Sequence, residues 1–86
     1  MDINSLNLII EKKISQNISC KKIIIEDKTY LHKNHKSHEK NKFHIKLIIK
    51  SDELLKMNRI VSTKKIYKIL DYELKYYIHS IEVLLN

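Results

Sequence analysis

The sequence lacks glycine and proline altogether, and Cys20 is its only cysteine. Glycine and proline are common in turns, so the turns of this chain must be made by Asn, Asp, Ser, His and Lys. A single cysteine excludes an internal disulfide and points to a reducing compartment.

Two kinds of membrane signal are also missing. No apolar run is long enough to cross a bilayer, and the N-terminal stretch MDINSLNLIIEKK lacks a basic segment followed by an apolar one. It is neither Arg-rich nor acid-poor, as transit peptides are. We therefore expect a cytoplasmic protein with no membrane contact, and a mitochondrial location stays open if a presequence was removed.

The length of 86 residues predicts one small domain over residues 1–86, too short for the enclosed active site of a large enzyme. The formal net charge is +7, but Arg59 is the only arginine and the lysines are spread along the whole chain. This favours a solvated surface over a dedicated nucleic-acid face, which stays open as the second interpretation. No nucleophile with a base and an orienting group is apparent, so we do not expect an enzyme.

Apolar periodicity predicts a helix at each end of the domain. Residues 2–17, capped by Asp2, repeat apolar residues at helical spacing. Residues 64–77, capped by Ser62 or Thr63, do the same. Between them, residues 51–61 form a connector with one helical turn around Glu53–Met57. The expected buried positions of the first helix are Ile3, Leu6, Ile10 and Ile14, and those of the second are Ile66, Ile69, Leu70, Leu74 and Tyr77.

Three segments predict strands. Cys20–Asp27 is rich in β-branched residues, and residues 43–50 and 78–86 alternate. In the second strand Phe43, Ile45, Leu47 and Ile49 share one face, and in the third His79, Ile81, Val83 and Leu85 do. A polar loop, residues 28–41, joins the first two strands. The predicted fold is α/β (α+β) in the order α-β-β-(short α)-α-β, with a three-stranded mixed sheet and both long helices on one face.

Several strings in this order carry a family resemblance. Asp27, Thr29 and His32 fit the pattern D-x-[ST]-x-x-H after the first strand, and His44 fits the His of an H-F step into the second. Ser51 follows the second strand, and the segment Ile66–Leu74 has the spacing Y-x-x-L-x-x-E-L. His79 fits the His of [IV]-H-A-L, with Ser80 in place of Ala. This ordered set resembles the BolA-like family over nearly the whole chain.

Two family motifs are absent. Leu54-Leu55-Lys56 stands where the family usually has F-x-G, and Ser62-Thr63-Lys64 stands where it usually has R-H-R. The second difference removes basic residues from a surface that contacts a partner or nucleic acid. Functions that depend on R-H-R are weakened accordingly.

The resemblance implies a fold similar to the class II KH domain and a role as a non-enzymatic adaptor. BolA-like proteins pair with monothiol glutaredoxins of the CGFS type, and the pair holds a bridging [2Fe–2S] cluster in cluster trafficking or iron regulation. It implies His79 as the principal ligand and His32 as a secondary one. Neutral imidazole ligates iron in Rieske-type clusters, so the chemistry is sound. If the first and last strands were neighbours, both rings would reach one rim of the sheet.

We expect a monomer when the protein is alone, and the ligand count predicts that it then holds no tightly bound metal. His35 and His38 lie among lysines and are interpreted as solvated, and His44 as a surface residue or one that supports a ligand. Cys20 is interpreted as a small apolar residue at a strand start. The alternative function is nucleic-acid binding or transcriptional regulation through the KH-like fold, although the GXXG loop of KH domains cannot be formed without glycine.

Overall fold

The computed structural model describes residues 1–29 and 42–86. Seven elements follow one another along the chain. They are α1 (Ile3–Asn17), β1 (Lys22–Asp27), β2 (Phe43–Lys50), α2 (Asp52–Leu55), α3 (Arg59–Ile69), α4 (Asp71–Tyr76) and β3 (Ile78–Leu85).

The three strands form one mixed sheet in the order β1-β2-β3. β1 pairs with β2 antiparallel, placing Ile24 opposite Ile48, and β2 pairs with β3 parallel, placing Leu47 opposite Val83. The predicted three-stranded mixed sheet is therefore confirmed. The first and last strands are not neighbours, however, because β2 lies between them.

The core lies between one face of the sheet and the long helices. Leu6, Ile10 and Ile14 of α1 are fully buried, as the helical period predicts. The odd-numbered residues of β2 face them, and Leu47 and Ile49 are also fully buried. Helix α3 adds Ile66, and Leu70 follows it. The helices thus cover one face, and the even-numbered residues of β1 and β2 lie on the other, which we call the open face.

The first helix begins where the sequence predicts. The Asp2 side chain accepts a hydrogen bond of 2.7 Å from the backbone N–H of Ser5. This satisfies one of the N–H groups that a helix start leaves without a partner. Strand β1 begins at Lys22, two residues later than predicted, and Cys20 packs against the core from the preceding turn.

The second long helix begins earlier than predicted. Asn58, not Ser62 or Thr63, is the cap, and its side chain accepts from the backbone N–H of Val61 at 2.9 Å. Ser62 is buried inside α3, where its hydroxyl donates to the carbonyl of Arg59 at 3.0 Å. The predicted turn in the connector is α2, capped by Ser51. Apolar periodicity could not identify Asn58 as the cap, because Ile60 and Val61, which follow it, are exposed and do not belong to the buried face of the helix.

The predicted second helix is divided at Leu70 into α3 and α4. Backbone hydrogen bonds continue across the division, from Leu70 to Ile66 at 3.0 Å and from Leu74 to Leu70 at 2.8 Å. None of the helices in the described ranges is long and apolar enough to cross a membrane.

Candidate functional site

One end of the sheet gathers residues of the family motifs that contain histidine, namely Asp27, Thr29, His44 and His79. β1 ends there at Asp27, and β2 and β3 begin there at Phe43 and Ile78. The backbone N–H of Phe43 donates to the carbonyl of Tyr77 at 2.9 Å, which fixes the start of β3 beside the start of β2. We call this end the His79 rim, formed by residues 27–29, 43–44 and 78–80.

His79 is exposed at this rim, and an irregularity in the sheet explains its position. Phe43 lies opposite Ile78, but the next residue, His44, lies opposite Ser80. His79 is therefore an extra residue on β3, as in a β-bulge, and bulges redirect side chains next to functional sites. The strict alternation that would group His79 with Ile81 does not hold here, since Ile78 is buried while His79 and Ser80 are both exposed.

His44 lies directly against His79. Their ring centroids are 4.8 Å apart with an interplanar angle of 53°. His44 is only 6% exposed, so its interpretation as a surface residue is wrong, and its position supports the ligand-supporting interpretation instead. It lies on β2, the central strand, with β1 on one side and β3 on the other. The exposed imidazole of His79 therefore packs against a buried ring.

Ser80 holds the buried ring in place. The Nδ1 atom of His44 and the Oγ atom of Ser80 are 2.6 Å apart, a short hydrogen bond. A buried polar ring needs such a partner, since leaving it unsatisfied costs about 1–3 kcal/mol. Ser80 stands where the family motif has Ala, so this bond is a local feature of this chain.

Asp27 and Thr29 connect the beginning of the 28–41 segment to the same rim. The hydroxyl of Thr29 donates to the Asp27 carboxylate, and the backbone N–H of Thr29 donates to it at 3.0 Å. The Thr29 hydroxyl also accepts from the backbone N–H of His44 at 3.2 Å. Two residues of the motif D-x-[ST]-x-x-H therefore join β1 to β2 beside His44, which is a structural role.

The third residue of that motif, His32, lies outside the described residues, as do His35 and His38. The geometric argument for His32 as a ligand required β1 beside β3, and β2 separates them. The segment that carries His32 nevertheless leaves and re-enters the described structure at the His79 rim. Its assignment as a secondary ligand stays a prediction based on residue matching.

The rim does not provide a closed metal site from the side chains of residues 1–29 and 42–86. Over those ranges, no group of three or more His, Cys, Asp and Glu residues could hold a metal ion. A shallow pocket of about 260 Å³ does open beside His44 on the open face, with Lys28, Lys46, Ser80 and Glu82 among its lining residues. An iron–sulfur cluster at His79 would accordingly need further ligands beyond the side chains of these described ranges.

Cys20 lies at the opposite end of the sheet, next to the start of β1. Its thiol contacts the carbonyl oxygen of Ile18 at 3.5 Å. Burial raises the pKa of this thiol above its ordinary value, and the carboxylate of Glu53 raises it further. A thiol that resists ionisation is a poor metal ligand, in agreement with its interpretation as a packing residue.

The family model for the BolA-like protein matches residues 14–85, and the chain belongs to this family. Two solved structures share the fold. The BolA domain of SufE1 from Arabidopsis thaliana superposes with a TM-score of 0.77 at 22% identity, covering 100% of this chain and 93% of that one. BolA1 from Arabidopsis thaliana gives 0.73 at 21% identity, with coverages of 90% and 85%. No sequence among the curated proteins matches the chain.

Proposed function

We propose that this protein is a non-enzymatic adaptor that pairs with a monothiol glutaredoxin of the CGFS type to hold or transfer a [2Fe–2S] cluster. His79 is its principal ligand and His32 a secondary one. Membership of the BolA-like family supports the class of function. The observation that carries the residue assignment is the exposed imidazole of His79, placed at a bulge and packed 4.8 Å from the buried ring of His44.

The chemistry of the donor set supports a shared cluster as the cargo. A [2Fe–2S] cluster accepts imidazole in place of thiolate. The lone cysteine is no obstacle, because this chain needs to supply only one or two ligands.

Ser80 adds a positioning role that the sequence did not predict, and His44 takes the ligand-supporting role that the sequence left open. Metal-bound imidazoles usually depend on neighbouring groups to fix their orientation. Here the His44 ring, bonded to Ser80, packs against the imidazole of His79 and limits its orientation. His44 was noted from the H-F motif, but its contact with His79 depends on the strand register.

The heterocomplex with a CGFS monothiol glutaredoxin tests the proposal. We expect His79→Ala to fold, because an exposed imidazole contributes little apolar burial, and to change the visible circular dichroism of the shared cluster. His32→Ala should have a smaller effect, and His35→Ala and His38→Ala none. An unchanged spectrum for His79→Ala would remove His79 as the ligand, and failure of the wild-type chain to form the complex would reject the function.

A second candidate function is nucleic-acid binding, and the composition of α3 favours it. This helix carries Arg59, Lys64, Lys65 and Lys68 and no acidic residue. Lys65 is engaged by Glu53 at 3.0 Å, which leaves three cations for phosphate contacts. Binding of this kind weakens steeply with salt. Electrophoretic mobility shifts at two salt concentrations, with Lys64→Glu as the variant, distinguish it from the adaptor function.

A further inference from the structure

β1 is an edge strand of the sheet. It pairs with β2 on one side, and within residues 1–29 and 42–86 no strand pairs with its other side. Edge strands present backbone N–H and C=O groups that can pair with another chain. Ile24, at the middle of β1, is 36% exposed on the open face. This edge therefore offers both hydrogen-bonding groups and an apolar side chain.

The sequence of this edge is complementary to itself when reversed. Residues 21–27 are Lys-Lys-Ile-Ile-Ile-Glu-Asp, with two cations before three isoleucines and two anions after them. An antiparallel pair centred on Ile24 places Lys22 opposite Glu26 of a second copy and Ile23 opposite Ile25 of that copy. Opposite charges in such positions stabilise a strand pair, and like charges destabilise it.

The backbone has the correct alternation for this register. In an antiparallel pair, alternate residues direct their N–H and C=O groups toward the neighbouring strand. The bond of 2.7 Å from the N–H of Lys28 to the carbonyl of His44 shows that even-numbered residues face β2. Ile23 and Ile25 consequently face outward and can exchange hydrogen bonds with Ile25 and Ile23 of a second copy. Lys22 and Glu26 then fall at the non-hydrogen-bonded positions, where side chains approach most closely.

The charges already present along the edge favour an incoming carboxylate. Lys22 lies opposite Lys50 across the β1–β2 pair, a like-charge arrangement. A carboxylate on the outer side of Lys22 would offset this repulsion. Lys21 contributes less, because Asp52 already lies 3.1 Å from its ammonium group in a largely exposed pair. Glu26 already has Lys46 opposite it across the β1–β2 pair and the ammonium group of Lys28 at 3.9 Å, so its contribution is reduced. The charge argument therefore depends chiefly on Lys22.

We infer that two copies of this chain associate through antiparallel pairing of their β1 strands, forming a six-stranded sheet about a two-fold axis at Ile24. Such an interface is isologous, with each contact made twice. It is short, so the dimer is weak and concentration-dependent, and it replaces the expectation of a monomer in isolation. The inference is independent of the proposed function, since β2 separates β1 from β3 and His79 stays exposed in both copies.

Sedimentation velocity of the whole chain over a concentration series tests this pairing through its charges. The wild-type protein should shift from monomer toward dimer as concentration rises. Lys22→Glu alone opposes two carboxylates and Glu26→Lys alone opposes two ammonium groups, so each variant should stay monomeric. An equimolar mixture of the two should associate again, because every Lys–Glu pair is then restored.

Two further sets of variants complete the experiment. Ile24→Lys, which places two cations at the two-fold axis, should abolish association. Lys12→Glu and Glu11→Lys make the same charge changes on the exposed side of α1 and should associate like the wild type. Far-ultraviolet circular dichroism identifies any variant that does not fold. A wild-type chain that is monomeric at every concentration, association that survives Lys22→Glu, or a mixture that fails to associate would each overturn the inference.

Discussion

At the scale of single residues, His79 and His44 divide two tasks between adjacent positions. His79 is exposed, whereas His44 is 6% exposed and bonded to Ser80 at 2.6 Å. A ligand on a strand can be held accurately only if its neighbours cannot move, and a buried, hydrogen-bonded ring meets that requirement. The orientation of His79 should therefore depend on Ser80, which does not itself reach a partner.

Ser80→Ala tests this dependence. It removes the bond to the buried ring of His44, and we expect a loss of about 1–3 kcal/mol in the free energy of unfolding, measured by urea denaturation. Ser15→Ala, at an exposed serine of α1 that bonds to the carbonyl of Lys12, should change stability by less than about 0.5 kcal/mol. Equal effects of the two substitutions would contradict the role given to Ser80.

The reactivity of Cys20 is a second prediction at this scale. Burial and the Glu53 carboxylate both raise the pKa of its thiol, so the thiolate fraction at pH 8 is lower than that of a free cysteine. Alkylation by iodoacetamide should be slower than for a cysteine-containing peptide at pH 8 and should accelerate as the pH rises above 9. Glu53→Gln should speed the reaction at pH 8. A reaction as fast as that of the peptide would show that the thiol is not protected.

At the scale of elements, the predictions succeeded where an element is buried on one side only, because its apolar residues then recur at a regular spacing in the sequence. α1 and β2 are each covered on one face, and residues 43–50 were predicted with the observed bounds. The predicted start of α3 was wrong. Its first residues, Arg59, Ile60 and Val61, are all exposed, so their sequence shows no apolar spacing typical of a buried helix face. The bulge at His79 and the central position of β2 depend on pairing between distant segments, which no local pattern encodes.

The cap of α3 gives a direct test of the corrected helix boundary. Asn58→Ala removes the acceptor for the backbone N–H of Val61, and we expect a loss of about 0.5–2 kcal/mol in stability. Thr63→Ala, at a position that the sequence suggested as a cap, should have a smaller effect because residue 63 lies inside the helix. A larger loss for Thr63→Ala than for Asn58→Ala would place the helix start where the sequence first suggested.

At the scale of the whole molecule, the two proposed interaction sites lie at different edges of the sheet. β3 carries His79 at one edge, and β1 carries the self-complementary charges at the other. On the helical side, the ammonium group of Lys13 in α1 lies 2.8 Å from the carboxylate of Glu73 in α4, which is 3% exposed. This pair ties α1 to the helix that leads directly into β3. The proposed cluster site and the proposed dimer edge can therefore operate on the same fold without competing for residues.

The most direct measurement of the central claim is nitrogen hyperfine spectroscopy on the reduced cluster in the complex with a CGFS monothiol glutaredoxin. The chain is labelled with ¹⁵N-histidine and the glutaredoxin is left unlabelled. We predict a strong ¹⁵N coupling from a directly bound imidazole, greatly weakened in His79→Ala, where only the secondary ligand His32 is left, and kept in His35→Ala. A spectrum with no ¹⁵N coupling, or one unchanged by His79→Ala, would contradict the assignment of His79 as the ligand that this protein contributes.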